Sequence, residues 1–173
     1  MPDCAVAKPD MAEYWHKNPE RVEAINKYLE SQPEAEVILY GEIAEMDFVN
    51  AGKGSSDVKN TLKRLGVDPD TLRRIAVAAY EAEINVAAHS RGGKMTSMIF
   101  DDMIHIIYED EGPGIADIEQ AMTPGFSTAD DLVREMGFGA GQGLPNIKKN
   151  ADALHIQSEA GCPTTVDIIT YFA

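Results

Sequence analysis

The spacing of apolar residues changes along the chain, and each change predicts an element of secondary structure. Apolar residues recur three or four positions apart, as in helices, in these stretches: 19–31, 55–66, 70–89 and 143–152. Short apolar runs bounded by turn-forming residues predict strands in five other stretches: 37–40, 95–100, 103–108, 154–158 and 164–171. Asp101 and Asp102 separate two of these strands, so we expect a hairpin there. Residues 1–18 show neither spacing and are predicted to form a tail.

The longest predicted helix, at 70–89, has apolar residues almost all round it. Such a helix is usually buried. Glu81 and Asn85 lie one turn apart on it, so we expect them to face an internal cleft rather than solvent. His89 continues the same stripe, and we interpret it as a structural residue at the helix end, where a positive charge is favoured. Glu83 falls on the apolar side, and the sequence offers no explanation for it.

Composition and charge limit the classes of function. The 173 residues are 44% hydrophobic and 25% charged, which is ordinary for one globular domain. The net charge of −14 argues against nucleic acid as the main partner, because phosphate backbones are bound by clustered Lys and Arg. A nucleotide remains compatible, since backbone N–H groups and a metal can hold its phosphates.

The cysteines and the lengths of the apolar runs indicate the cellular compartment. The two cysteines form neither a disulfide framework nor a zinc-binding spacing. No apolar run is long enough to span a membrane, and the first residues are not typical of a signal peptide. A cytoplasmic location is therefore predicted.

The stretch Tyr108–Gly114, Tyr-Glu-Asp-Glu-Gly-Pro-Gly, places an acidic side chain at the end of a predicted strand. Gly112 and Gly114 allow backbone angles that other residues avoid, and Pro113 fixes its own φ. Asp110 is thus held by a rigid turn, where it is suited to accept a hydrogen bond from a buried amine such as that of adenine. By itself the pattern is also that of an ordinary strand-to-loop turn.

Glu81 and Asn85 have side chains suited to phosphate chemistry. A carboxamide oxygen is a hard ligand that Mg²⁺ accepts beside phosphate oxygens and water. A partly buried carboxylate one turn away can take a proton from a hydroxyl or water nucleophile. The alternative is a solvated helix face that carries a Glu and an Asn, and the apolar flanks of the stripe disfavour it.

A glycine-rich block at 137–144 comes directly before a predicted helix. Its glycines occupy alternate positions: Gly137, Gly139, Gly141 and Gly143. Backbone N–H groups can approach phosphates closely in such a segment, and the helix that follows offers its positive N-terminus. The alternative, a flexible linker, rarely continues directly into an amphipathic helix. The preceding polar stretch, 123–139, is predicted to be a functional or mobile loop.

A second glycine-rich segment, at 51–56, lacks the full phosphate-loop pattern. We interpret it as a turn into a helix that is capped by Ser55 or Ser56.

Three motifs occur in the order Glu81-xxx-Asn85, Asp110-Glu-Gly-Pro-Gly-Ile and Gly139-Ala-Gly-Gln-Gly-Leu. Together they resemble the N, G1 and G2 boxes of the GHKL (Bergerat-fold) ATPases. Within that superfamily the chain is most similar to the bacterial anti-sigma regulatory factors and switch serine-protein kinases. This closer resemblance also rests on the stretches Pro124-Gly-Phe-Ser-Thr and Gly143-Leu-Pro-Asn-Ile.

The resemblance implies a fold and a division of the chain. The fold is of the α/β class, a two-layer α+β sandwich in which helices cover one face of a mixed, mostly antiparallel sheet. Residues 35–173 are expected to form the histidine-kinase-like ATP-binding domain. Residues 1–34 are expected to form an N-terminal tail and a short helix.

The resemblance also implies roles for single residues. Asp110 is expected to bind the adenine amine, Asn85 to bind Mg²⁺, and Glu81 to act as the catalytic base. The other cofactor-binding residues that it implies surround the ATP molecule: Gly112, Gly114, Ile115, Gly139, Gly141, Gly143, Leu144 and Thr165. Thr165 is assigned from the last box of the family, although Gly161-Cys-Pro-Thr-Thr departs there from a plain Gly-Thr.

Proteins of this kind phosphorylate a Ser or Thr of a small STAS-type antagonist protein, bind a sigma factor, or do both. We therefore expect a serine/threonine protein kinase that uses ATP and Mg²⁺ in a partner-switching pathway. One alternative is a non-catalytic module that sequesters a sigma factor in a nucleotide-dependent way. Another is a slow ATPase without a protein substrate. No nucleic-acid or membrane partner is expected, and a homodimer is left open.

Overall fold

The computed structural model describes residues 11–126 and 143–173. The strands are β1 (Ala12–Lys17), β2 (Val37–Ile43), β3 (Gly93–Ile99), β4 (Met103–Asp110), β5 (Ala153–Ser158) and β6 (Thr165–Tyr171). The helices are α1 (Val22–Ser31), α2 (Lys53–Arg64), α3 (Pro69–His89), α4 (Ile118–Ala121) and α5 (Gly143–Asn150). The strands form one sheet in the order β1-β5-β6-β4-β3-β2, and each neighbouring pair is antiparallel. The predicted α+β sandwich and the hairpin between β3 and β4 are confirmed.

Side chains that alternate along β4 separate the two faces of the sheet. Ile104, Ile106 and Tyr108 are buried in the larger core, which they share with residues of α2, α3 and α5. We call this side the helical face. Met103 and His105 point the other way, to what we call the open face. The layer of helices on one face is the arrangement that the sequence predicted.

Helix α1 lies across one end of the open face. Ile25 is fully buried in a second, smaller core that includes Phe100, Met103 and Tyr171. The prediction of a packing helix at 19–31 is therefore confirmed.

Residues 12–17, predicted as part of a tail, form the edge strand β1, which pairs with β5 over its whole length. Tyr14 packs against the larger core, and Trp15 stacks on the ring of His155 with their centroids 3.9 Å apart. The tail prediction was wrong for these residues. Most side chains of this edge strand are partly or fully exposed, so the sequence shows no clear alternation of apolar and polar positions.

The N-terminus of α2 is held by a carboxylate from α3. Glu83, only 3% exposed, accepts the N–H of Gly52 at 2.5 Å and that of Gly54 at 2.9 Å. It also accepts the N–H of Ser55 at 3.3 Å. The prediction that Ser55 or Ser56 caps this helix was wrong, because the cap residue is Gly52 and Glu83 binds the free N–H groups instead. Burial raises the pKa of Glu83, and these hydrogen bonds oppose the rise.

Helix α3 is fixed at both ends. Asp68 Oδ1 accepts the N–H groups of Asp70 and Thr71, each at 3.1 Å, so the first turn is capped. At the other end Ser90 Oγ donates to the carbonyl of Val86 at 2.7 Å. No described helix, α3 included, is long and apolar enough to cross a membrane.

Candidate functional site

Asp110 ends β4 with its side chain on the helical face, by the same alternation that places Ile106 and Tyr108 there. Its Oδ1 accepts the N–H of Gly112 and the N–H of Thr164, both at 2.8 Å. Burial raises the pKa of Asp110, and these two hydrogen bonds oppose the rise. The carboxylate is thus oriented by neutral backbone groups.

The loop after Asp110 is packed tightly against the turn before β6. Gly114 has a φ of +83°, and a Cβ there would lie 2.6 Å from the carbonyl oxygen of Cys162 and closer still to that of Glu159. Ile115 N–H donates to Ser158 Oγ at 2.7 Å, which fixes the end of the loop. A glycine is therefore required at 114 for this close approach.

The turn after α3 joins the helix to the Asp110 loop. Arg91 N–H donates to the carbonyl of Gly112, and Glu111 N–H donates to that of Gly92, both at 3.0 Å. Gly93 lies opposite Asp110 in the β3–β4 register, and a Cβ on it would lie 2.9 Å from Asp110 Cα. The position of Asp110 is consequently tied to the end of the helix that carries Glu81 and Asn85.

Glu81 and Asn85 both contact residues of α5. Asn146 Nδ2 lies 3.4 Å from Glu81 Oε1. A Cβ on Gly143 would lie 2.9 Å from Asn85 Oδ1, so only glycine leaves the carboxamide in its place. Glu81 and Asn85 lie one turn apart on α3. The structure brings both of them against α5, where Gly143 lies beside Asn85.

Thr165 is not brought to Asp110. It opposes Glu109 in the β4–β6 register, and its side chain lies on the open face. Thr164 is the threonine that contacts Asp110: its N–H donates to Asp110 Oδ1, and its hydroxyl lies 2.6 Å from Ser158 Oγ in a buried pair. The Thr165 assignment is corrected by one residue, because the extra Cys-Pro in the final motif leaves its alignment with the strand undetermined.

The remaining predicted residues divide into two groups. Ile115 and Leu144 are partly buried and pack against the larger core. Gly139, Gly141 and most of the predicted loop at 123–139 lie outside the described residues.

Sequence reasoning missed Asn146 and Gly93 as neighbours of the site. Asn146 stands three residues after Gly143 on a predicted helix. That spacing puts it on the same face as the glycine, and this signal was sufficient to select it. Gly93 contacts Asp110 only through strand pairing, which the sequence does not reveal.

Several curated proteins are similar to this chain. It is 32% identical over 117 residues to the serine/threonine-protein kinase RsbT of Bacillus subtilis, a match that covers 65% of this chain and 82% of RsbT. It is 31% identical over 113 residues to an anti-sigma F factor of Geobacillus, covering 61% and 74% of the two chains. It is 29% identical over 141 residues to that of Caldanaerobacter subterraneus, covering 76% and 95%.

No protein-family model matches the sequence. Among solved structures, the fold is similar to a chain in the crystal structure of the SiaB–SiaC complex from Pseudomonas aeruginosa. The TM-score is 0.53 with 10% sequence identity, and the match covers 87% of this chain and 96% of that one. Identity this low supports the fold alone. By its sequence relatives and the order of its motifs, the chain belongs to the GHKL family of anti-sigma factor serine/threonine kinases.

Proposed function

We propose that the protein binds ATP in the cleft between α3, α5 and the Asp110 loop, and transfers its γ-phosphate to a Ser or Thr of a partner protein. The observation that carries this proposal is the state of Asp110. Its carboxylate is half-buried, held by two neutral N–H groups, and absent from the ion pairs among the described residues. Such a group is suited to accept the exocyclic amine of adenine.

The other end of the cleft fits the phosphates and Mg²⁺. No group of three or more His, Cys, Asp or Glu side chains that could hold a metal occurs within 11–126 and 143–173. An ion here would therefore take protein oxygen from Asn85 and complete its shell with phosphate and water, as Mg²⁺ commonly does. When bound, Mg²⁺ would neutralise charge on the phosphates. Gly143 carries no side chain that would collide with the Asn85 carboxamide, since a Cβ there would lie 2.9 Å from Asn85 Oδ1.

Glu81 is the proposed catalytic base. It takes the proton from the hydroxyl of the partner's Ser or Thr. The hydroxyl oxygen bonds to the γ-phosphorus while the bond from that phosphorus to the β–γ bridging oxygen breaks, and ADP leaves with the bridging oxygen. Positioning and charge neutralisation supply most of the catalysis in such transfers.

The proposed partner is a STAS-type antagonist protein. The support comes from RsbT, a relative whose name describes a serine/threonine-protein kinase, and from the resemblance of the three motifs to the switch kinases. The net charge of −14 further favours a protein partner over nucleic acid.

A phosphoryl-transfer assay tests this function. The protein is incubated with radiolabelled Mg-ATP and a STAS-domain protein encoded near its gene, and we expect label on the STAS protein. Glu81→Ala should abolish transfer while ATP still binds. Glu30→Ala, which changes an exposed glutamate on α1, should leave transfer unchanged. Absence of transfer by the wild type under saturating Mg-ATP would overturn the kinase proposal.

A second candidate is a binding module that sequesters a sigma factor without catalysis. It is favoured by the similarity to anti-sigma F factors over most of their length. The same Glu81→Ala variant separates the two functions. If partner binding and signalling in cells survive this change, the function is binding and catalysis is dispensable.

A further inference from the structure

We propose that Asn146 is a positioning residue, which holds the carboxylate of Glu81 through a hydrogen bond from its side-chain amide. This inference rests on the proposed role of Glu81 as the base. Asn146 lies in α5, outside the sequence positions that the resemblance assigns to the nucleotide site.

The contact has a defined chemical direction. Asn146 Nδ2 lies 3.4 Å from Glu81 Oε1, with both side chains partly buried between α3 and α5. An ionised carboxylate only accepts hydrogen bonds, so the NH₂ of the amide must face it and the amide oxygen must point away. The contact therefore binds one carboxylate oxygen, Oε1.

Helix α5 meets the two functional residues of α3 in different ways. Opposite Asn85 it presents Gly143, which has no side chain, and a Cβ at this position would lie 2.9 Å from Asn85 Oδ1. One turn further on, opposite Glu81, it presents the donor Asn146. The helix thus has no side chain against the proposed metal ligand and places a hydrogen-bond donor beside the proposed base.

A general base needs its accepting oxygen aimed at the proton. With Oε1 held by Asn146, rotation of the Glu81 carboxylate is restricted and Oε2 is left to take the proton. Misplacement of a reacting group is costly even when the group itself is unchanged. The donor should consequently affect the rate of transfer more than the binding of ATP.

Steady-state phosphoryl transfer by Asn146→Ala tests the inference. We expect kcat to fall about ten-fold, which corresponds to about 1.4 kcal/mol in the barrier, while KM for ATP changes less than about two-fold. A wild-type kcat in this variant would overturn the inference, as would a fall in kcat/KM that comes entirely from KM. A wild type that transfers no phosphate at all would overturn the proposed function as well, so the two failures are distinguishable.

A second variant tests the contact between residue 146 and the Glu81 carboxylate. Asn146→Asp keeps the shape of the side chain but places a carboxylate beside Glu81, and two adjacent carboxylates hold a proton to higher pH than one. We expect the pH–rate profile of this variant to be displaced to higher pH relative to that of the wild type. Asn150→Asp is the matched control, because Asn150 donates to the backbone oxygen of Asn146 at 2.8 Å and has no described contact with Glu81. A pH profile of Asn146→Asp that matches the wild type would refute the positioning role.

Discussion

Two aspartates on neighbouring strands, Asp110 and Asp167, are both substantially buried, yet their environments act on them in opposite directions. Burial raises the pKa of Asp110, with only backbone N–H groups to oppose the rise. Burial also acts to raise the pKa of Asp167, but hydrogen bonds and positive charge from His105 and His155 lower it to about 2. Within residues 11–126 and 143–173, Asp110 has no cationic partner on the helical face, whereas Asp167 is paired with two histidines on the open face.

The pairing of Asp167 belongs to a chain of contacts across the sheet, which we call the open-face cluster. His105 Nε2 lies 2.7 Å from Asp167 Oδ1, and His155 Nδ1 lies 3.2 Å from Oδ2. The other nitrogens of the two rings contact Tyr28 at 2.7 Å and Glu13 at 2.8 Å. The cluster therefore connects α1 and β1 to the centre of the sheet.

Burial alone therefore does not identify a functional carboxylate. Both aspartates lose hydration, but Asp167 regains its interactions from two imidazoles, whereas Asp110 is only oriented. We therefore interpret Asp167 as structural, and the proposed role of Asp110 is to accept a hydrogen bond from a ligand.

A substitution in the loop after Asp110 should have the largest effect on stability, and it leaves the open-face cluster unchanged. Gly114→Ala should lower the free energy of unfolding by at least about 3 kcal/mol, because the new Cβ would overlap two carbonyl oxygens at a positive φ. Gly66→Ala is the matched control, since its φ of +84° is nearly the same and nothing lies within 4 Å of the new Cβ. It should cost only about 1 kcal/mol. Denaturant titration of both variants measures the difference, and equal losses would contradict the close-packing argument.

Matched amide substitutions compare the two aspartates directly. Asp167→Asn should lower the free energy of unfolding by about 2 kcal/mol at neutral pH, because charge-assisted hydrogen bonds to two histidines are lost. Asp110→Asn should change it by less than about 1 kcal/mol, since the amide oxygen still accepts both backbone N–H groups. Thermal or denaturant unfolding gives both values. A larger loss at Asp110 would reverse our assignment of roles.

Much of this arrangement follows from the sequence. The helix at 70–89 predicts that Glu81 and Asn85 share a face, because residues four apart always do so. The position of Asp110 at a strand end follows from an apolar run that stops at a glycine turn. These are local relations, which the periodicity of a single element determines.

The relations that sequence reasoning missed are contacts between elements. Glu83 had no explanation because its partners are N–H groups near residue 53, about thirty positions earlier in the chain. The open-face cluster joins residues from five elements, so no short motif predicts it. Thr165 was assigned from the last box of the family, and a shift of one residue in a strand exchanges its two faces, so the neighbouring Thr164 is the one that contacts Asp110.

Thr164 and Thr165 are adjacent threonines whose side chains lie on opposite faces of the sheet. Thr164→Val should weaken ATP binding about ten-fold, which is about 1.4 kcal/mol, because it removes the hydroxyl paired with Ser158 behind the Asp110 loop. Thr165→Val should leave the affinity within about two-fold of the wild type, as that side chain faces away from the site. Fluorescent-nucleotide titration measures both affinities. A loss at Thr165 alone would restore the original assignment.

The smallest expected effect is a pH dependence of the open-face cluster. Burial would lower the pKa of His155, but hydrogen bonds and negative charge from Asp167 and Glu13 raise it overall. A raised histidine pKa stabilises the fold below its unfolded value of about 6.5, and this contribution is lost as pH rises through the folded value. The depressed pKa of Asp167 stabilises the fold above about 3.9 and is lost as pH falls towards about 2.

His155→Gln should therefore be less stable than the wild type by about 1 kcal/mol near pH 5.5, and the difference should shrink above neutral pH. Unfolding free energies measured across this range for both proteins test the expectation. A difference that grows with rising pH would show that His155 contributes in its neutral form.

Calorimetric titration of Mg-ATP into the wild type, Asp110→Asn and Glu109→Gln tests the ATP site most directly. Glu109 is the neighbour of Asp110 on the same strand and forms an exposed ion pair with Lys94 at 3.5 Å, so it serves as the matched control. We predict binding to the wild type and to Glu109→Gln, and loss of binding in Asp110→Asn. In that variant the side-chain NH₂ would face the adenine amine, and two hydrogen-bond donors cannot pair. Binding by Asp110→Asn at wild-type affinity, or no binding by the wild type, would contradict an ATP site built on Asp110.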